Sequence, residues 1–189
     1  MEEKTCKVTV IITTYNATAR LADAIESVLK QTYQDFEIIV VDDNSPNTEG
    51  RIFTENTMKR YKNHDKIIYI QHDKNRNGSA ARNTGIRASR GEYIAFLDDD
   101  DWYYPERLSE CINALQNNEE YGAVYTAVEV FRNGQCVNKR KAVKEGFIWK
   151  DLFQNEGLLG TGSNIFLRKE AVDRIGFFDE KFQRYQDVE

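Results

Sequence analysis

The sequence predicts an α/β protein with a mostly parallel central sheet flanked by helices, and three observations carry that expectation. Short β-branched apolar runs alternate with amphipathic helical stretches, which is the pattern of successive βα units. The runs are apolar without interruption, as strands covered on both faces must be. Polar clusters also follow the runs directly, where an open α/β sheet presents its ligand-binding edge.

Each element follows from its residues in turn. Val8 to Ile12 reads as a central strand, and Leu21, Ala24, Ile25, Val28 and Leu29 then recur at the spacing that puts them on one helical face. Glu37 to Val41 repeats the strand signal and is stopped by Asp42-Asp43-Asn44-Ser45-Pro46, a turn-forming cluster. A polar helix is expected around 49–61, a strand over 66–71, a helix around 80–89 and a strand over 93–97. Pro105 suits the first turn of a helix whose apolar face is Leu108, Cys111, Ile112 and Leu115. Ala123 to Phe131 reads as one further strand. Asn133-Gly134 then suggests a hairpin turn, so the second half should contain a smaller antiparallel region.

Composition narrows the function. The chain has 189 residues, 40% apolar and 30% charged, which fits one soluble globular domain of about 100 to 200 residues. A net charge of -5 gives no footing for nucleic acid, and the basic runs at 87–90 and 139–141 are too short to change that. The start carries acids and a short apolar run far below the ~20 residues that span a bilayer, which points to a cytoplasmic protein. Cys6, Cys111 and Cys136 are widely spaced and read as free thiols. His64 and His72 are the only histidines, so any metal would fall to carboxylate oxygen.

The chemistry concentrates at three strand ends: Thr13-Thr14-Tyr15-Asn16, Asp42-Asp43, and Asp98 to Asp101. No glycine follows the first strand, which excludes the dinucleotide fingerprint, and a P-loop is absent as well. Four consecutive aspartates at one strand end would repel one another and raise some of their pKa values. Mg²⁺ or Mn²⁺ would relieve that crowding, because each binds one or two carboxylates together with the phosphates of a substrate. For Asp101 alone, capping of the following helix is the simpler expectation.

The stretches VTVIITTYN with Gln31-Thr32, FEIIVVDDNS, NGSAARNTGIRASRGEYIAFLDDDDWYYPERL and RIGFFDEKFQRYQDVE, in this order, resemble a family 2 glycosyltransferase with the GT-A fold. That resemblance implies a nucleotide-sugar-binding half over about 1–101 and an acceptor half over about 102–189. It implies an inverting transfer from a nucleoside-diphosphate sugar, with a UDP-sugar the expected donor. Thr13 and Tyr15 would line the base and ribose pocket, and Asp43 would accept the imide N–H of a uracil, a proton that cytosine lacks. Arg82 would lie near base and phosphates. Asp99 would contact the ribose and Asp100 the metal, with Asp98 supporting both; the phase that gives Asp98 the ribose stays open. Asp187 resembles the family's catalytic base.

More ordinary readings stand beside these: an Asx turn for Asp43, a surface helix arginine for Arg82, a helix-start acid for Asp187. Asp42 reads as the structural member of its pair. Asp187 lies two residues from the end, which suggests a family member cut before its C-terminal elements. The acceptor would be a glycan or lipid-linked, with membrane association, at the inner face, only through that further region. A non-catalytic nucleotide-sugar-binding module and a sugar-phosphate nucleotidyltransferase are the alternatives. The latter normally carries a Gly-rich loop after strand one, absent here.

Overall fold

The computed structural model describes residues 7–142, 145–146 and 162–181. Its main sheet has six strands in the order β3-β2-β1-β4-β8-β5. These are β1 (Val8–Thr14), β2 (Phe36–Asp42), β3 (Ile67–Gln71), β4 (Tyr93–Asp98), β5 (Ala123–Tyr125) and β8 (Ile165–Arg168). β3, β2, β1 and β4 run parallel, whereas β8 lies antiparallel between β4 and β5. A separate two-stranded ribbon pairs β6 (Val128–Arg132) with β7 (Gln135–Arg140) around the expected Asn133-Gly134 turn, where both residues have positive φ.

Both faces of the central parallel strands are covered, which is why they are mostly apolar, with Thr9 and Glu37 the buried polar exceptions near their starts. Val8, Val10 and Ile12 point to one face and pack with α1 (Arg20–Leu29) and α4 (Arg107–Gln116) through Leu21, Ile25, Leu108 and Leu115. Ile11, Ile39, Ile94 and Phe96 point to the other and meet Ala81 and Ile86 of α3 (Gly78–Ala88) and Val172 of α5 (Lys169–Ile175). α3 lies close against β1: a Cβ on Gly85 would come within 2.4 Å of Ile11 Cγ2, so only glycine fits without displacement. α2 (Glu49–Met58) continues into a 3₁₀ turn over Lys59–Tyr61, matching the expected stretch.

Two expectations are corrected. The single strand expected over Ala123 to Phe131 is two strands in different sheets, broken at Thr126 and Ala127, because Asn164 takes Thr126 out of the ladder: its side chain accepts from Thr126 N and donates to Thr126 O. Asp101 does not cap α4. Glu106 stands at the N-cap without a side-chain bond, and the Asp101 carboxylate instead accepts from Ser163 Oγ at 2.7 Å.

Candidate functional site

β1 leads through α1 to β2 and onward to β3 on one side, while β4 returns to the other side of β1. The C-terminal ends of β1 and β4 therefore form a topological switch point, where diverging connections leave a crevice. A cavity of about 300 Å³ opens there, lined by Thr13, Thr14, Tyr15, Asp43, Gly78, Ala81, Arg82, Asp98, Asp99 and Asp100. Seven residues singled out from the sequence, Thr13, Tyr15, Asp43, Arg82, Asp98, Asp99 and Asp100, thus come together around one space. Asp187 lies outside the described residues.

The adjacent acids of β2 take different environments. Asp42 is fully buried, its Oδ2 meeting Arg51 Nε at 3.0 Å and accepting from Tyr69 Oη at 2.6 Å. Its Oδ1 accepts from the backbone and side-chain nitrogens of Asn44, an Asx turn that shapes the loop. Asp43 is almost as buried but lines the cavity, held by His72, Asn75 and Arg76. The loop supplying these partners ends in Asn77, at φ 74, whose side chain caps α3 by accepting from Ala80 N.

The four aspartates are also told apart. Asp98, at the end of β4, accepts from Arg82 Nη2 at 3.1 Å, the arginine reaching in from α3. Asp99 accepts from Thr14 Oγ1 of β1. Asp101 is tied to Ser163, whose Oγ also accepts from Asp98 N at 2.9 Å and so pins the turn from outside. Asp100 stands exposed at the tip. Burial above all, with the charges of Asp100 and Asp98 adding, pushes the Asp99 carboxyl up to about 6, although the Thr14 hydroxyl opposes the shift.

That surplus of negative charge and hard oxygen is what a Mg²⁺ or Mn²⁺ ion fits. Among the described residues no three His, Cys, Asp or Glu side chains converge as a ready-made cage. A cation that keeps waters and shares substrate phosphates needs only one or two carboxylates.

Sequence reasoning did not single out Thr14, Ser163, His72 or Asn75 as site residues. Thr14 was within reach, being the last β1 residue beside two that were named. Ser163 and His72 carry no local signal, since their partners lie 62 and 29 residues away. No helix among the described residues is long and apolar enough to cross a membrane.

Comparison with known proteins agrees with this architecture. TarS of S. aureus (residues 1–349) superposes with a TM-score of 0.72 at 22% identity, covering 96% of this chain and 53% of that one. TarS has also been solved with UDP and with UDP-GlcNAc. The mannosyltransferase PcManGT of Pyrobaculum calidifontis, in complex with GDP-Man and Mn²⁺, superposes with a TM-score of 0.69 at 20% identity, covering 97% of this chain and 51% of that one. These likenesses establish the GT-A fold.

In sequence, an uncharacterised glycosyltransferase of Methanocaldococcus jannaschii is 32% identical over 187 residues, covering 96% of this chain and 62% of the relative. The amylovoran biosynthesis glycosyltransferase AmsB of Erwinia amylovora is 30% identical over 187 residues, covering 95% and 61%. The chain thus spans about three fifths of the length of these curated relatives. The model for glycosyl transferase family 2 matches residues 9–176, most of the chain, and on that match this protein belongs to glycosyl transferase family 2.

Proposed function

We propose that this chain binds a UDP-sugar in the switch-point cavity and transfers the sugar, with inversion, to a hydroxyl of a glycan or lipid-linked acceptor. The observation that carries the reading is the convergence of Thr13, Tyr15, Asp43, Arg82, Asp98, Asp99 and Asp100 on one space at the C-terminal ends of β1, β2 and β4. Tyr15, 57% exposed at the rim, offers a stacking face for the base. Asp43 accepts the imide N–H. Thr13 lines the ribose pocket and Asp99 takes the ribose hydroxyls, while Asp98 keeps Arg82 aimed at the anionic oxygens.

Asp100, at the exposed tip, is the metal contact, and a bound Mg²⁺ or Mn²⁺ supplies charge compensation for the departing diphosphate. Asp187 is the base that takes the acceptor hydroxyl's proton as the nucleoside diphosphate leaves. Residues up to about 101 form the donor half and those beyond it the acceptor half. The protein works in the cytoplasm, at the inner face of the membrane where its acceptor is lipid-linked.

Calorimetry with UDP, CDP and GDP, each with Mn²⁺ and with EDTA, tests the donor reading. UDP should bind tightest, and only with the metal. Asp43→Ala should weaken it by about 1.5 to 3 kcal/mol, the worth of one charge-assisted hydrogen bond. Equal affinity for UDP and CDP would remove Asp43 as the base reader, and tighter GDP binding would move the donor to guanine, whose N1–H a carboxylate also accepts. Release of free nucleoside diphosphate rather than pyrophosphate separates glycosyl transfer from nucleotidyl transfer.

A further inference from the structure

A carboxylate offers about four lone-pair directions. On Asp43 the protein uses three. Oδ1 faces His72 Nδ1 at 2.7 Å and accepts from the backbone N–H of Arg76 at 2.8 Å. Oδ2 accepts from Asn75 Nδ2 at 2.8 Å. One acceptor direction is left, on Oδ2, and Asp43 lines the cavity. The His72 and Asp43 side chains are only 5% and 4% exposed, so water does not replace a lost bond between them at no cost.

The His72 ring is itself fixed from both sides. An ionised carboxylate only accepts, so Nδ1 carries a proton directed at Asp43. Nε2 lies 2.9 Å from Thr84 Oγ1, which in turn lies 2.9 Å from Ala80 O. With the Thr84 hydroxyl donating to Ala80 O, Nε2–H donates to Oγ1 and the ring is an imidazolium. With that hydroxyl turned to Nε2, the ring is the neutral Nδ1–H tautomer. Either arrangement leaves the Nδ1–H on Asp43. His72 does not itself line the cavity.

We infer that His72 is a positioning residue for base specificity: it orients the Asp43 carboxylate so that a single acceptor faces the pyrimidine edge, and UDP is thereby favoured over CDP. The inference rests on the reading of Asp43 as the residue that accepts the imide proton. The competing role is plain loop support, in which His72 matters only for folding.

Two substitutions of similar size separate these roles. In His72→Asn the amide nitrogen stands about where Nδ1 was and keeps the bond to Asp43. In His72→Gln it reaches about where Nε2 was, keeping Thr84 and losing Asp43. The measurement is the ratio of UDP to CDP dissociation constants for wild type, Asp43→Asn, His72→Asn and His72→Gln, with a melting curve for each.

The expected result is a preference for UDP in wild type and in His72→Asn, abolished in Asp43→Asn and reduced about tenfold in His72→Gln, the worth of one hydrogen bond. Undiminished preference in His72→Gln, or equal loss in both His72 variants, overturns the inference while Asp43 still reads the base. Absence of preference in wild type, or its survival in Asp43→Asn, overturns the base reading itself and the inference with it. Should His72→Gln not fold, ¹⁵N NMR of the wild-type imidazole decides. Nδ1 should be protonated at neutral pH, and the ring signals should move on adding UDP but not CDP. An unprotonated Nδ1, or a ring indifferent to UDP, overturns the proposal.

Discussion

The two ends of the parallel sheet each hold a carboxylate withdrawn from water, Glu37 near the start of β2 and Asp99 just past the end of β4. Glu37 is closed in on all sides. Oε1 accepts from Thr9 Oγ1 at 2.7 Å and Arg90 N at 2.8 Å, and Oε2 accepts from Arg90 Nε at 2.8 Å and from Arg90 Nη2. Burial raises its pKa, but the Arg90 and Thr9 bonds outweigh burial and hold the carboxyl below its ordinary value. Asp99 is half-buried, and there burial together with the charges of Asp100 and Asp98 outweighs the Thr14 bond, so its pKa goes the other way.

Burial alone therefore does not decide what a carboxylate does; the donors built around it do. At the N-terminal edge every acceptor is met within the protein, so the group stabilises. At the C-terminal edge the neighbouring Asp100 and Asp98 charges add to burial in raising the Asp99 pKa, and the group lines the cavity.

The largest effect is expected at the proposed catalytic base. Asp187→Asn should reduce turnover at saturating donor by about two to four orders of magnitude with UDP affinity little changed, because the amide keeps an oxygen but not the basicity. Wild-type turnover per folded molecule would end the general-base assignment.

Next in size, Asp100→Ala should lower turnover by about 10²-fold and make UDP affinity equal in Mn²⁺ and EDTA, with the melting temperature unchanged. A metal response that survives in calorimetry would place the cation on other ligands.

At the closed edge the expected pattern is reversed. Glu37→Gln should cost about 1.5 to 3 kcal/mol of stability at neutral pH and leave UDP binding alone. Because the folded-state pKa of Glu37 is depressed, its contribution is complete above the ordinary carboxylate range, about 4.3, and is lost as pH falls through the lower folded value. Urea unfolding should therefore find the variant's deficit at pH 7 and a smaller one as the pH falls into the acid range. An equal deficit at neutral and acid pH would show that the charge is not what Arg90 and Thr9 hold.

The smallest effect sharpens the boundary between the edges. Ser163→Ala removes the acceptor for Asp98 N and the donor to Asp101, and should cost about 1 kcal/mol of stability. A weakening of UDP affinity of less than tenfold is expected, since the turn loosens while Arg82 and Thr14 still hold Asp98 and Asp99.

Local pattern along the chain suffices for the parallel half of the fold and most of the cavity lining. Strands β1 to β4, with α1, α3 and α4, are written in local periodicity, because a strand covered on both faces is mostly apolar and a helix covered on one face repeats near 3.6. Thr13, Tyr15, Asp43 and Asp98 to Asp100 were legible because polar residues straight after such strands have one edge to go to. Arg82 became legible through the resemblance of its surrounding motif.

Contacts that span the chain have no such local signature. β8 enters between β4 and β5, a sheet order that no local pattern encodes, and Asn164 splits the run from Ala123 to Phe131 in two. The same holds within the cluster of four aspartates, which are identical as letters. Arg82, Thr14 and Ser163 arrive from elements between 16 and 85 residues away and give Asp98, Asp99 and Asp101 different neighbours, with Asp100 at the exposed tip. A residue type sets what a side chain is able to accept, whereas packing between distant elements sets which of its acceptors are already taken.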